Sequence, residues 1–167
     1  MAPAGMATRR PNPVSLSAGV YIGMMWVCYV GAGITSVLAA QPRTREMAAA
    51  VPIAPFVMGI MMLVLAYKMW SSIDDGATQP TPGKAVGFLF IPLFSIYWVF
   101  VVWPGFATKY NAFVQRNAIQ TQPIGQGIYI GALLLGWIPI VGPVLWSIAI
   151  AQTCRAVNAL NPAQRRS

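Results

Sequence analysis

The chain has 167 residues, of which 57% are hydrophobic and 8% charged, and its formal net charge is +8. A globular domain carries about 25% charged residues, so this composition cannot coat a soluble surface, whereas a bilayer accepts apolar side chains on the outside. The basic residues lie singly or in pairs at the edges of apolar runs. That is where membrane proteins keep them for topology and anionic headgroups, and it is not the patch that grips nucleic acid.

Histidine is absent from the sequence. Its absence removes the usual axial ligand of haem, the imidazole ligand of zinc or copper and the commonest general base. Cys28 and Cys154 fall inside apolar runs without a metal-binding spacing and read as small buried hydrophobes. The carboxylates are Glu46, Asp74 and Asp75 alone. No catalytic residue, metal site or cofactor is expected.

In chain order, residues 1–14 read as a flexible basic tail in which Arg9-Arg10 sets topology. A four-span membrane domain, all-α, is expected over 15–160, with spans at about 16–40, 47–68, 85–108 and 124–153, and a basic tail over 161–167. The first run, Ser15–Ala40, is longer than a signal-peptide core and reads as an uncleaved helix. Gly19 and Gly23 give it one small-residue contact face. The second run has Pro52 and Pro55 near its start, where missing N–H groups cost least. Met58, Met61 and Met62 on one side of it read as packing.

Ser71–Lys84 is a polar loop, and Asp74-Asp75-Gly76 within it reads as a solvated turn. The third run, Ala85–Thr108, contains Pro92 and Pro104. Each removes a helix hydrogen bond, so the element is expected to kink or split at Ile91-Pro92 and to pack against its neighbours. Tyr97, Trp98 and Trp103 suit an interface. The polar linker 117–123 leads to the fourth run, which Pro139 and Pro143 break.

The third and fourth runs resemble each other at an offset of 47. Ile91-Pro92 falls on Ile138-Pro139, Phe90 on Trp137, and Asn111-Ala112-Phe113 on Asn158-Ala159-Leu160. Broken helices at matched positions suit a transport site, but Ile-Pro pairs and aromatics also recur in membrane helices without one. With four spans, Arg9, Arg10, Lys68, Lys84, Arg155, Arg165 and Arg166 share one side, against Arg43, Arg45, Lys109 and Arg116. That bias places both termini in the cytoplasm.

The segment Tyr67–Asn111 resembles a family of small bacterial integral membrane proteins of unknown function. The resemblance rests on Met69-Trp70, Ile73, Asp75-Gly76, Thr81-Pro82-Gly83-Lys84, Ala85-Val86-Gly87-Phe88, Phe90-Ile91-Pro92, Tyr97-Trp98 and Tyr110-Asn111. It implies a membrane helical bundle in a bacterial inner membrane and implies no activity. Where family members often carry Asn, this chain has Ser95, which could satisfy a broken turn only in part.

Three functions compete. An accessory, structural or assembly subunit would work through lipids, a larger membrane complex or a homo-oligomer, with Pro92, Ser95, Tyr97, Trp98, Pro139 and Gln152 as inter-helix or partner contacts. A passive or lipid-directed small-solute transporter or channel would need a solvent-connected cavity between Pro92 and Pro139, lined by Ser95 and Gln152. An enzyme would need a nucleophile–base pair, a metal cluster or a phosphate loop. Thr81-Pro82-Gly83-Lys84 lacks the spaced glycines and the following Ser/Thr of a P-loop.

Overall fold

The computed structural model describes residues 13–42, 46, 51–76 and 78–166, with side chains described up to Asn161. The described residues are helical, without a strand. The α-helices are α1 (Ala18–Ala39), α2 (Ile53–Ser71), α3 (Pro82–Gly87), α4 (Phe94–Arg116), α5 (Gly127–Leu135) and α6 (Val141–Arg166), with a 3-10 turn at Phe88–Phe90 extending α3.

Prolines set several of these boundaries. Thr81 is extended and Pro82 opens α3, using a ring already fixed at a helical φ. Pro55 and Pro143 lie in the first turns of α2 and α6, where a backbone N–H would have no partner inside the helix, so Pro143 does not break the fourth run as the sequence suggests. Pro104 sits inside α4, and the helix continues through it.

Pro92 and Pro139 do break their helices, and both breaks have the same geometry. Leu93 has φ 64° and ψ −45°, and Ile140 has φ 68°. The Phe94 N–H donates to the Pro92 carbonyl at 2.7 Å and the Val141 N–H to the Pro139 carbonyl at 2.8 Å. Each is a γ-turn of the rare positive-φ hand. The flanking bonds recur as well. Ser95 N–H to Ile91 O and Gly142 N–H to Ile138 O are both 2.9 Å. The offset of 47 read in the sequence therefore maps onto one repeated backbone device.

These turns reverse the chain. In the first hairpin, Trp98 Nε1 donates to the Ala85 carbonyl at 3.0 Å, and the Phe88 ring lies 4.9 Å from that of Trp98. In the second, the hydroxyls of Tyr129 on α5 and Thr153 on α6 are 2.7 Å apart. The expected third and fourth spans are thus two helical hairpins, each with a short first arm and a long second arm. Nine-residue α5 rises about 14 Å, roughly half of a ~30 Å hydrocarbon core. Among the described residues, two helices are long and apolar enough to cross a membrane, α1 and α2.

Every element packs against the next, and α6 closes back on α1. Burial concentrates at one end of this ring, the base. There Met25 of α1, Leu65 and Trp70 of α2, Phe106 and Tyr110 of α4, and Ile150 and Val157 of α6 are all at most 1% exposed. The opposite end, the crown, is apolar and exposed. Leu93 is 83% exposed, Trp137 80%, and Phe90 and Ile140 69% each.

Long-range contacts place the ends of α4 and α6 together at the base. Arg116 pairs with Asp75, the Tyr110 hydroxyl reaches the Ala156 carbonyl at 3.1 Å, and Asn158 bonds Leu16. A four-span path would put Lys109 and Arg116 at the end away from Asp75, and these contacts put them at the same end.

The second hairpin is the tighter one. A Cβ on Gly142 would come within 2.1 Å of the Gly136 carbonyl oxygen, whereas the matched position in the first hairpin is Ser95, which has a side chain. Gly142→Ala is expected to destabilise the protein by about 1–3 kcal/mol through overpacking, and Ser95→Gly by less than about 1 kcal/mol. Thermal unfolding in a mild detergent checks both.

Candidate functional site

The base carries a polar framework built on helix ends. Thr78 donates from its N–H and its hydroxyl to Asp75 Oδ1, both at 2.9 Å, and Arg116 closes on Oδ2. Asp75 is 7% exposed, so the expectation of a solvated turn holds for its neighbour and not for it. Asp74, which caps the Gly76 N–H at 3.3 Å, is the partly exposed one. The local turn signal was right. The charge partner of Asp75 is a cation from 41 residues further on, which no local reading sees.

Two asparagines, matched at the offset of 47, perform one task. Asn111 accepts the Ile124 N–H and donates to the Ile124 carbonyl, both at 2.9 Å. Asn158 does the same to Leu16, at 2.8 and 2.7 Å. A side-chain amide has the acceptor and the donor that the N–H and C=O of one residue need. Each clamp fixes the segment that leads into a helix, α5 in one case and α1 in the other.

Between α4 and α5 the chain forms a strap over the base. Ala118 takes φ 51°, the Ile119 N–H reaches the Val114 carbonyl at 3.0 Å, and the Ala118 N–H reaches that of Gln115 at 3.2 Å. This is a Schellman-type helix end with alanine where glycine is usual. The middle of the strap is held by Tyr110, whose hydroxyl lies 3.1 Å from both Thr121 Oγ1 and the Ala156 carbonyl. Its single proton goes to the carbonyl, which can only accept, so Thr121 donates to Tyr110. Burial pushes the Tyr110 hydroxyl above its ordinary pKa and the Thr121 bond opposes that shift. Tyr110 therefore stays protonated at neutral pH.

The strap separates two clefts. One, of 370 Å³, lies on the Asn111 and Val114 side. The other, of 550 Å³, lies between the strap and α6, where Gln120, Gln122, Gln152 and Arg155 are among its lining residues. Gln152 Oε1 is shielded from solvent and has no hydrogen-bond partner among the described residues. No group of three or more Cys, Asp or Glu that could hold a metal ion occurs among the described residues.

The structure gathers some of the sequence-predicted residues and separates others. Pro92, Ser95, Tyr97 and Trp98 share the first hairpin tip, where the Trp98 ring stacks at 5.3 Å on Phe94 and Tyr97 is 63% exposed. Pro139 forms the second tip. Gln152 lies thirteen residues further along, about 20 Å of chain rise when the helix carries it, and lines the base cleft instead. Neither described cleft is lined by Pro92, Ser95 or Pro139. Asn111 and Asn158 were visible in the sequence as an echo, and their clamp role was not. The other residues that sequence reasoning missed are Thr78, Tyr110, Thr121 and Tyr129. Thr78 bonds Asp75 three residues away, and the others become informative only through partners eleven or more residues distant.

Comparison with protein-family models, with curated proteins and with solved structures found no match, so the chemistry of the base is read from its geometry.

Asn111→Ala and Asn158→Ala each remove two backbone bonds from a partly buried segment and are expected to cost about 1–3 kcal/mol. Ala118→Gly relieves a positive φ and is expected to be neutral or to stabilise by up to about 1 kcal/mol. Chemical or thermal unfolding of the three variants against wild type in one detergent measures these values.

Proposed function

We propose that this is an integral membrane protein with two spanning helices, α1 and α2, and two re-entrant hairpins, acting as a structural, assembly or accessory component through lipid and protein contacts. The observation that carries the reading is the division of the molecule into a charged, densely packed base and an uncharged apolar crown. No charged residue occurs from Ala85 to Thr108 or from Asn117 to Cys154, and the hairpin tips sit in the middle of those stretches. A soluble protein rarely exposes a large contiguous apolar patch, whereas hairpin tips immersed in hydrocarbon need not be hidden.

The orientation follows from charge. By chain path, Arg9, Arg10, Lys68, Lys84, Lys109, Arg116, Arg155, Arg165 and Arg166 belong to the base side, against Arg43 and Arg45 on the other. The bias is steeper than a four-span path gives. It favours a base and both termini in the cytoplasm, and the resemblance of Tyr67–Asn111 to bacterial inner-membrane proteins supports a membrane of that kind. Transport is the weaker reading, because the described clefts lie at the base and do not join the two tips. An enzyme is disfavoured by a composition without histidine and with three carboxylates.

Topology is tested by labelling single-cysteine variants with a membrane-impermeant maleimide in sealed vesicles. Gln120→Cys is expected to label from the same side as Pro13→Cys, and Gln41→Cys from the opposite side. Leu93→Cys and Ile140→Cys are expected to stay protected until detergent is added. Labelling of Gln120→Cys from the side of Gln41→Cys would restore four spans. Gentle purification followed by mass spectrometry tests the role: a stoichiometric protein partner is expected, and a lone homo-oligomer with bound lipid would count against an accessory subunit.

A further inference from the structure

We propose that the chain is a wedge-shaped inclusion, broad in the bilayer leaflet next to the base and narrow in the other, and that it concentrates in membrane that is convex on the base side. The inference rests on the membrane reading above, with α1 and α2 as the spans, and adds a mechanical activity to it.

Hydrogen bonds between elements fix how deep the hairpins reach. The Ile140 N–H, at the second tip, lies 3.4 Å from the Tyr29 hydroxyl, and Tyr29 is the twelfth of the 22 residues of α1. Nearer the base, Trp26 Nε1 donates to Ser147 Oγ at 3.1 Å, and Asn158 meets Leu16. So α6 runs down the base half of α1. In the first hairpin, Trp70 Nε1 donates to the Val102 carbonyl at 3.2 Å. Both α2 and α4 run toward the base, and eight residues back along them stand Met62, midway along α2, and Phe94, where α4 begins. Both tips therefore stop about halfway along the spans.

Burial divides the spans at the same level. The buried residues of α1 are Tyr21, Met25 and Cys28, and those of α2 are Met61, Leu65, Ala66, Met69 and Trp70. All belong to the base halves. Beyond the tips, from Tyr29 to Ala39 and from Ile53 to Ile60, no residue is buried. Val30, Ile34, Val37, Phe56 and Ile60 are exposed there, and the far halves carry no charge, which suits lipid tails.

A section through the base half thus cuts two spans and four hairpin arms, and a section through the far half cuts the two spans alone. With a helix diameter of about 10 Å, four extra arms ask for roughly 300 Å² more room in the base-side leaflet than in the other. The packed base resists compression, so the leaflet must yield instead. A flat bilayer offers both leaflets equal area, whereas a curved one offers more on its convex face. Insertion into one leaflet is curvature-sensitive for this reason.

The test uses the full chain with one cysteine, Gln120→Cys at the base or Gln41→Cys at the far end, in giant vesicles of phosphatidylcholine and phosphatidylglycerol. An impermeant fluorescent maleimide added outside marks only chains that present that end outward. A membrane nanotube is then pulled from each vesicle, and label density is compared between tube and vesicle. Chains marked at Gln120→Cys are expected to be enriched about twofold in the tube, equivalent to about 0.4 kcal/mol per chain, and chains marked at Gln41→Cys to be depleted. The opposite signs are the control, because lipid sorting or the dye would move both alike. Equal tube densities would overturn the wedge, and two-step photobleaching beside them would assign the bare far halves to a second copy. Four crossings would put both cysteines on one side and give both the same sign, which overturns the wedge as well. Release of the chain from the vesicles by alkaline carbonate would overturn the membrane reading itself, whereas a chain that stays in the bilayer and spreads evenly overturns the wedge alone.

Discussion

The architecture depends on two proline residues that cannot carry a helix forward. Pro92 and Pro139 lack the N–H that a continuing helix would use, and their rings clash with the turn behind them. The chain could bend and resume, as it does past Pro104. At these two points it reverses instead, with Leu93 and Ile140 held at positive φ. For a leucine and a β-branched isoleucine that conformation costs about 1–3 kcal/mol each, so the surroundings must offset it. Arm-to-arm contacts supply the offset: Trp98 against Ala85 and Phe88 in one hairpin, Tyr129 against Thr153 in the other.

Reversal has a consequence for every polar group downstream. It returns the ends of α4 and α6 to the base, where Arg116 meets Asp75 and Tyr110 meets Ala156. The two asparagine clamps then tie the lead-in segments of α5 and α1 to those same helix ends. Most polar side chains are thereby gathered where they can satisfy one another, and the hairpin tips are left uncharged, mostly apolar and with closed backbone turns. A tip with open backbone groups would be costly in hydrocarbon. A γ-turn followed at once by a helix leaves few of them open.

The helical class, the uncharged crown and the positions of the two breaks were legible in the sequence, because each rests on local chemistry. Charge is either present or absent in a stretch, and proline either supplies an N–H or does not. The repeat was legible too, although as a faint echo. The four-span path was the natural reading of four apolar runs, and the structure does not confirm it, because run length says nothing about direction. The nine residues of α5 make half a crossing if the chain turns at Pro139 and part of a whole crossing if it does not.

Val51-Pro52-Ile53 makes the same point. It has the local pattern of the two breaks, yet Pro52 sits at φ −75° and ψ −13° and α2 starts from it without a γ-turn. The sequence by itself determined that the chain is helical, poor in charge and interrupted at Pro92 and Pro139. Only the tertiary structure decided that the interruptions are reversals, that the shielded Asp75 is paired with Arg116, and that Asn111 and Asn158 clamp the segments leading into α5 and α1. The physical reason is that a strained turn and a shielded polar group are each unfavourable alone. What makes them tolerable is partners brought from elsewhere in the chain, and those partners are set by packing.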